Sequence, residues 1–155
     1  MKKIYNYKTS IGDIGIIECD SAIEGVCFGN DAPYKRVETP LIKKTYEQIT
    51  EYLEGKRKTF DVPIKPSGTE FQKAVWSELL KIPYGEVRTY GAIAKSIGSI
   101  NAARPVGGAC NQNPIAIIIP CHRVIGSNGS LTGYAGGLDV KRKLLEAEAK
   151  WRVES

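Results

Sequence analysis

The chain has 155 residues, 42% of them hydrophobic and 25% charged, with a formal net charge of +5; that suits one ordinary domain, or two small ones, with a real core. No apolar run approaches the roughly 18 residues of a membrane span. The opening Met1-Lys2-Lys3-Ile4-Tyr5-Asn6-Tyr7 lacks the apolar stretch of a signal peptide, so no membrane partner and a cytoplasmic, reducing setting are expected. There Cys19, Cys27, Cys110 and Cys121 should be free thiols. One histidine and no Cys-x-x-Cys argue against a metal site.

Residues 3–29 read as three short strands forming a β-meander, broken at Gly12-Asp13 and Asp20-Ser21. Cys19 and Cys27 fall inside these strands, where packing is their expected role. Thr39-Pro40 opens a helix with a capping hydroxyl and a first-turn proline. Its expected apolar face is Leu41, Ile42, Thr45, Tyr46, Ile49, Tyr52 and Leu53, and Gly55 ends it. Lys56-Arg57-Lys58 reads as a solvated connection. No catalytic constellation is visible up to this point, so residues 1–65 are expected to form a scaffold domain.

Pro63, Pro66, Ser67 and Gly68 mark a boundary, and residues 66–155 are expected to form a second domain. The charge is uneven: 11 Lys/Arg against 10 Asp/Glu in residues 1–65, but 11 against 7 in the remainder. That excess is compatible with a phosphate-rich partner. Thr69 should cap a helix facing inward through Phe71, Val75, Trp76, Leu79 and Leu80, stopped by Ile82-Pro83-Tyr84-Gly85. Thr89 caps a short helix from Tyr90 to Ile97. Gly98-Ser99 breaks it, and a further helix from Asn101 to about Gln112 carries Arg104. The pair makes a plausible helix-turn-helix, although many helical pairs have this spacing. The second helix contains Ala102, Ala103, Gly107 and Gly108. Glycines inside a helix are costly unless another backbone comes close, either a nucleic acid or a neighbouring helix.

Asn113-Pro114 leads into Ile117-Ile118-Ile119-Pro120-Cys121-His122-Arg123-Val124-Ile125. The β-branched run stopped by proline predicts a buried strand, with Cys121 held on the turn at its end. A cysteine so placed is either an aimed nucleophile or a small buried hydrophobe. Gly126-Ser127-Asn128-Gly129 reads as a hairpin-type turn, and Gly133-Tyr134-Ala135-Gly136-Gly137 as a loop offering N–H groups to a flat ligand. A last helix, Asp139 to about Lys150, should turn Val140, Leu144, Leu145 and Ala149 inward; it also bears Glu146 and Glu148.

From Phe71 to Glu148 the chain resembles the O6-alkylguanine-DNA alkyltransferases, the suicidal DNA repair proteins. The matching segments are Ile82-Pro83-Tyr84-Gly85, Tyr90-Gly91-x-Ile93-Ala94, Ala103-Arg104-x-Val106-Gly107, Asn113-Pro114, Ile119-Pro120-Cys121-His122-Arg123-Val124 and Gly133-Tyr134-x-Gly136-Gly137-Leu138. The Pro-Cys-His-Arg-Val core is highly specific; the first 65 residues match only in broad layout. The fold implied is α/β (α+β): an N-terminal meander with a helix, then a helical domain with a helix-turn-helix and a short strand leading to the active-site cysteine.

The resemblance also implies roles. Cys121 would take the alkyl group from the guanine oxygen, activated by His122 through a water, with Glu148 orienting the imidazole. Glu146 is the neighbouring alternative, turned away by about 100° per residue on a helix. Tyr90 would protonate ring nitrogen N3 of the leaving base, and Asn113 would brace the site. The carbonyls of Cys121 and Val124 would accept from the exocyclic amine; Tyr134 and the N–H of Ala135 would border the base. Arg104 would fill the gap left by a flipped nucleotide. Thr89, Ala102, Ala103, Gly107, Gly108 and Arg123 would meet the DNA through its minor groove. Some relatives have serine where this chain has Ala135, which leaves the range of adducts, and O4-alkylthymine, open. No metal or other cofactor is implied, and the partner would be duplex DNA carrying O6-alkylguanine, bound by a monomer. Three other readings fit less well: lesion-binding sensors resembling this family have tryptophan where this chain has Cys121, adjacent Cys121 and His122 rarely give a hydrolase's direct thiol–imidazole geometry and no oxyanion signature is present, and a DNA-binding regulator would need a dimerisation helix or second recognition unit.

Overall fold

The computed structural model describes residues 1–29, 32–99 and 101–151. The chain divides into two compact units, one of Met1–Ser67 with Pro114–Ala116, the other of Gly68–Asn113 with Ile117 onward.

In the first unit β1 (Lys3–Thr9), β2 (Gly12–Cys19) and β3 (Ala22–Phe28) form the expected antiparallel meander. Asp20 and Ser21 both have positive φ, 52° and 65°, as a two-residue hairpin turn with the twist of its strands requires. The sheet gains a fourth strand that the sequence pattern does not announce: β4 (Lys35–Arg36), only two residues long and parallel to β1, gives the order β3-β2-β1-β4. Both exposed, its basic side chains have no hydrophobic signal to mark them. Helix α1 (Pro40–Leu53) starts where Thr39 Oγ1 accepts from Ile42 N–H at 3.1 Å. Ile42, Thr45, Gln48, Ile49 and Tyr52 are buried with Ile4, Ile14, Ile16, Ile23 and Val26 of the sheet. Leu41, Tyr46 and Leu53 are only half-buried; Gln48 takes an inward place because Asp61 binds its amide.

The second unit begins with α2 (Glu70–Leu79), closed at its start by a reciprocal capping box between Thr69 and Gln72. Val75, Trp76 and Leu79 face inward, whereas Leu80 is exposed. The Trp76 indole N–H donates to Ala109 O at 2.9 Å, tying α2 to α4 (Ala103–Asn111). Between them lies α3 (Tyr90–Ser96), capped by Thr89, whose hydroxyl accepts from Ala92 N–H at 3.0 Å. Gly98, at φ 81°, turns the chain out of α3, so the helix-turn-helix forms as expected. The last helix is α5 (Leu138–Trp151).

One expected element is absent. Ile117-Ile118-Ile119 is buried but is a turn, not a strand, and Ile117 has φ 73°. Only Ile115 makes a bridge, to Val26. An apolar β-branched run shows burial, but a strand also needs a continuous partner, and here the Asn113 side-chain amide claims Ile119 O at 2.8 Å. Positive φ at a β-branched residue costs on the order of 1–3 kcal/mol, so its surroundings must impose it. A second correction concerns α5: its buried residues are Lys141, Leu144 and Glu148, while Val140 and Leu145 are half-buried and Ala149 is exposed. Lysine and glutamate face inward because each finds hydrogen-bond partners there.

Candidate active site

Cys121 is aimed by two consecutive turns. Pro120, at φ −82° and ψ 62°, sits at the centre of an inverse γ-turn closed by Cys121 N–H to Ile119 O at 2.8 Å. A 3₁₀ turn, Cys121–Arg123, follows, with Arg123 N–H donating to Pro120 O at 2.9 Å. The chain then extends into β6 (Val124–Ile125), parallel to β5 (Arg88–Thr89). Proline fits this path because its fixed φ suits the γ-turn and no donor is needed from its nitrogen.

The Cys121 thiol is 6% exposed, and Asn113 Nδ2 reaches its sulfur at 3.2 Å while also holding Ile119 O. Asn113 Nδ2 thus joins the carbonyl of Ile119 to the sulfur of Cys121. Burial pushes the Cys121 pKa up, opposed by the Asn113 hydrogen bond and by the positive charge of Lys141. The resting group is a thiol that must lose its proton before it can attack.

His122 is fully buried, and its Nε2 lies 2.7 Å from Glu148 Oε2. Glu148 is thus the carboxylate partner, and Glu146 is exposed. Burial alone would disfavour the charged carboxylate, but hydrogen bonds and charge from His122 and Arg123 outweigh it and hold Glu148 at a pKa of about 2. Gly85 N–H adds a further bond to Oε1 at 3.0 Å. Burial also lowers the His122 pKa against the pull of Glu148, so the resting imidazole is neutral. Its Nε2–H then donates to the carboxylate, and the tautomer keeps its lone pair on Nδ1, ready to take a proton.

Arg123 corrects an expectation. Its guanidinium is buried: Nε donates to Glu148 Oε1 and Nη2 to Oε2, both at 2.9 Å, and Nη1 to Ile82 O at 2.7 Å. A side chain so engaged is withheld from DNA. The resemblance implied a DNA contact for Arg123, whereas the fold uses its guanidinium to keep Glu148 ionised.

Tyr90, half-buried at the start of α3, and Arg104, exposed in the first turn of α4, line a groove of about 530 Å³ together with Ala103, Gly107 and Gly108. Ala102 precedes α4 as its N-terminal flanking residue. Burial raises the Tyr90 pKa against the hydrogen bond from Thr132, and negative charge on Cys110 or Cys121 would raise it further. Val124 is buried, and its N–H donates to Cys121 O, which retains a second lone pair. Tyr134 is buried and Ala135 exposed, on a loop turned by Tyr134 O accepting from Gly137 N–H at 2.9 Å. Two residues with no sequence signal also belong here. Lys141 Nζ donates to Thr132 O at 2.9 Å, and Thr132 Oγ1 donates to Tyr90 Oη at 2.7 Å. Among the described residues no group of three His, Cys, Asp or Glu side chains is placed to hold a metal ion.

The profile of the 6-O-methylguanine DNA methyltransferase DNA-binding domain matches residues 70–150, and that of the 6-O-methylguanine DNA methyltransferase ribonuclease-like domain matches residues 3–66. The chain belongs to the 6-O-methylguanine DNA methyltransferase family. It is 55% identical over 150 residues to the methylated-DNA–protein-cysteine methyltransferase of Methanosarcina acetivorans, covering 92% of this chain and 95% of that protein. It is 54% identical over 103 residues to the inducible enzyme of that name from Bacillus subtilis, covering 66% of this chain and 58% of that protein. The Mycobacterium tuberculosis O6-methylguanine methyltransferase structure superposes with a TM-score of 0.90 at 39% identity, over 97% of this chain and 94% of that one. The Mycobacterium tuberculosis OGT structure in complex with DNA gives a TM-score of 0.89 at 40% identity, over 96% and 94%. The Pro120-Cys121-His122-Arg123-Val124 segment that carried the resemblance forms the turns around Cys121.

Proposed function

We propose that this protein reverses O6-alkylguanine damage in duplex DNA, moving the alkyl group irreversibly onto Cys121, as a methylated-DNA–protein-cysteine methyltransferase acting once per molecule. The observation that carries this reading is the single thiol held by Asn113 and followed directly by the buried His122–Glu148–Arg123 network.

In the step itself the Cys121 proton passes to His122 Nδ1 through a water, and Glu148 stabilises the imidazolium that forms. The sulfur attacks the alkyl carbon as the bond from that carbon to the guanine oxygen breaks. Tyr90 gives a proton to ring nitrogen N3, so the base departs without full negative charge. Once His122 and Tyr90 return to their resting states, the thiol's proton has moved to guanine and the sulfur is a thioether. No group in the site removes an alkyl from a thioether, so each molecule acts once.

Reaching a base inside the stack requires extrusion. Arg104, exposed on the helix that borders the groove, would occupy the vacated position. The glycines support this contact. A Cβ on Gly108 would meet nothing within 4 Å, and one on Gly107 only the Tyr90 ring at 3.9 Å. Among the described residues no packing requires their smallness, and close approach of a nucleic-acid backbone would give it a use. Ala103 lines the same groove, and Ala102 and Thr89 would meet the DNA beside it. The carbonyls of Cys121 and Val124, with Tyr134 and Ala135 N–H, border the base.

No helix among the described residues is long and apolar enough to cross a membrane. We place the protein in the cytoplasm, a reading supported by the need of Cys121 for a reducing environment. The test is stoichiometry: duplex DNA with one O6-methylguanine is titrated with the protein. One guanine restored per protein, with Cys121→Ser inert, is expected; repeated turnover, or binding without repair, would contradict the assignment.

A further inference from the structure

Two side chains beside Tyr90 have no part in the reaction described above. Lys141 is fully buried on α5, whereas a lysine there would ordinarily carry its ammonium to water. Instead Nζ donates to Thr132 O at 2.9 Å and lies 5.8 Å from the centre of the Tyr90 ring. The segment carrying Thr132 is thereby pinned to α5. From this fixed backbone the Thr132 hydroxyl reaches Tyr90 Oη at 2.7 Å, as donor.

A phenol has a single proton. When its oxygen accepts from Thr132, that proton is not spent on Thr132 and is available to the groove that Tyr90 and Thr132 both line. We propose that Thr132 is a positioning residue for the transfer reaction, holding the Tyr90 hydroxyl so that its proton faces the departing base. The inference rests on Tyr90 being the proton donor. It gives Thr132 two effects. Before transfer it selects the productive orientation of the O–H. During transfer its hydrogen bond stabilises the negative charge that grows on the phenol oxygen, the direction in which this bond moves the Tyr90 pKa against burial.

The experiment compares wild type, Thr132→Val, Thr132→Ser, Tyr90→Phe and the Tyr90→Phe/Thr132→Val double variant. Each is given saturating duplex carrying O6-methylguanine, and the single-turnover rate constant and duplex Kd are read. Thr132→Val keeps shape and loses the hydroxyl; transfer should slow by about tenfold, the worth of one hydrogen bond to a group gaining charge. Duplex Kd and the Thr132→Ser rate should stay within about twofold of wild type, and the double variant should be no slower than Tyr90→Phe alone. A structural role would instead add its loss in the double variant and weaken DNA binding too. Wild-type speed in Thr132→Val, an equal loss in Thr132→Ser, or additive losses would overturn the proposal while leaving Tyr90 as donor. Wild-type speed in Tyr90→Phe would overturn the donor reading, and the role of Thr132 with it.

Discussion

Replacing Glu148 by glutamine tests the network behind Cys121. Glutamine keeps the shape of the side chain but removes the charge that Arg123 and His122 both use. A carboxyl whose pKa falls from 4.5 to about 2 on folding contributes about 3 kcal/mol to stability at neutral pH. Breaking one side of a buried ion pair gives a similar figure, about 3–5 kcal/mol. The depressed folded pKa sets the sign: this stability is complete above pH 4.5 and is lost as the pH falls towards 2. The difference between wild type and Glu148→Gln should therefore be about 3 kcal/mol at pH 7 and below about 1 kcal/mol at pH 2.5. Urea unfolding followed by tryptophan fluorescence suits the measurement, because both tryptophans, Trp76 and Trp151, belong to the second unit. A difference under about 1 kcal/mol at pH 7, or one unchanged between pH 5 and 2.5, would refute the charged network.

Gly108→Ala should raise stability by about 0.5–1 kcal/mol, since the helix gains alanine at a position with open space; duplex affinity should fall. Unchanged affinity in a binding titration would remove Gly108 from the DNA interface. Arg104→Ala should slow repair in duplex DNA far more than repair of free O6-methylguanine base, because only the duplex needs extrusion; equal loss on both would refute that role. With its pKa raised by burial, Cys121 should react with iodoacetamide at a rate that still climbs with pH beyond 9. A plateau near neutrality would show a thiolate already formed at rest.

The sequence carried the chemistry of this site better than its geometry. Cys121-His122 preceded by proline, Asn113 eight residues earlier and Glu148 on the last helix were legible because the resemblance ran through their spacing, and the structure joins them by direct contacts. The helix starts were legible too, since Thr39, Thr69 and Thr89 are capping residues whose function is local. What could not be read depends on partners distant in the chain. The isoleucine run signals burial equally for a strand and for the turn it forms. Arg123 looks like any basic residue until Ile82 O and Glu148 are brought to it, 41 and 25 positions away. Lys141 shares a face with Leu144 and Glu148, but a charged residue on an amphipathic helix is assigned to solvent unless its partner is visible, and its partner is the backbone of a loop. Thr132 has no pattern at all; only its 2.7 Å contact with Tyr90 marks it.

The most direct measurement is the mass of the protein after incubation with duplex DNA carrying O6-methylguanine, followed by peptide mapping. The account predicts the gain of one methylene, located on the peptide containing Cys121 and never exceeding one per chain. An unchanged mass while guanine is restored, or a methyl group found on Cys110 or any other residue, would contradict it.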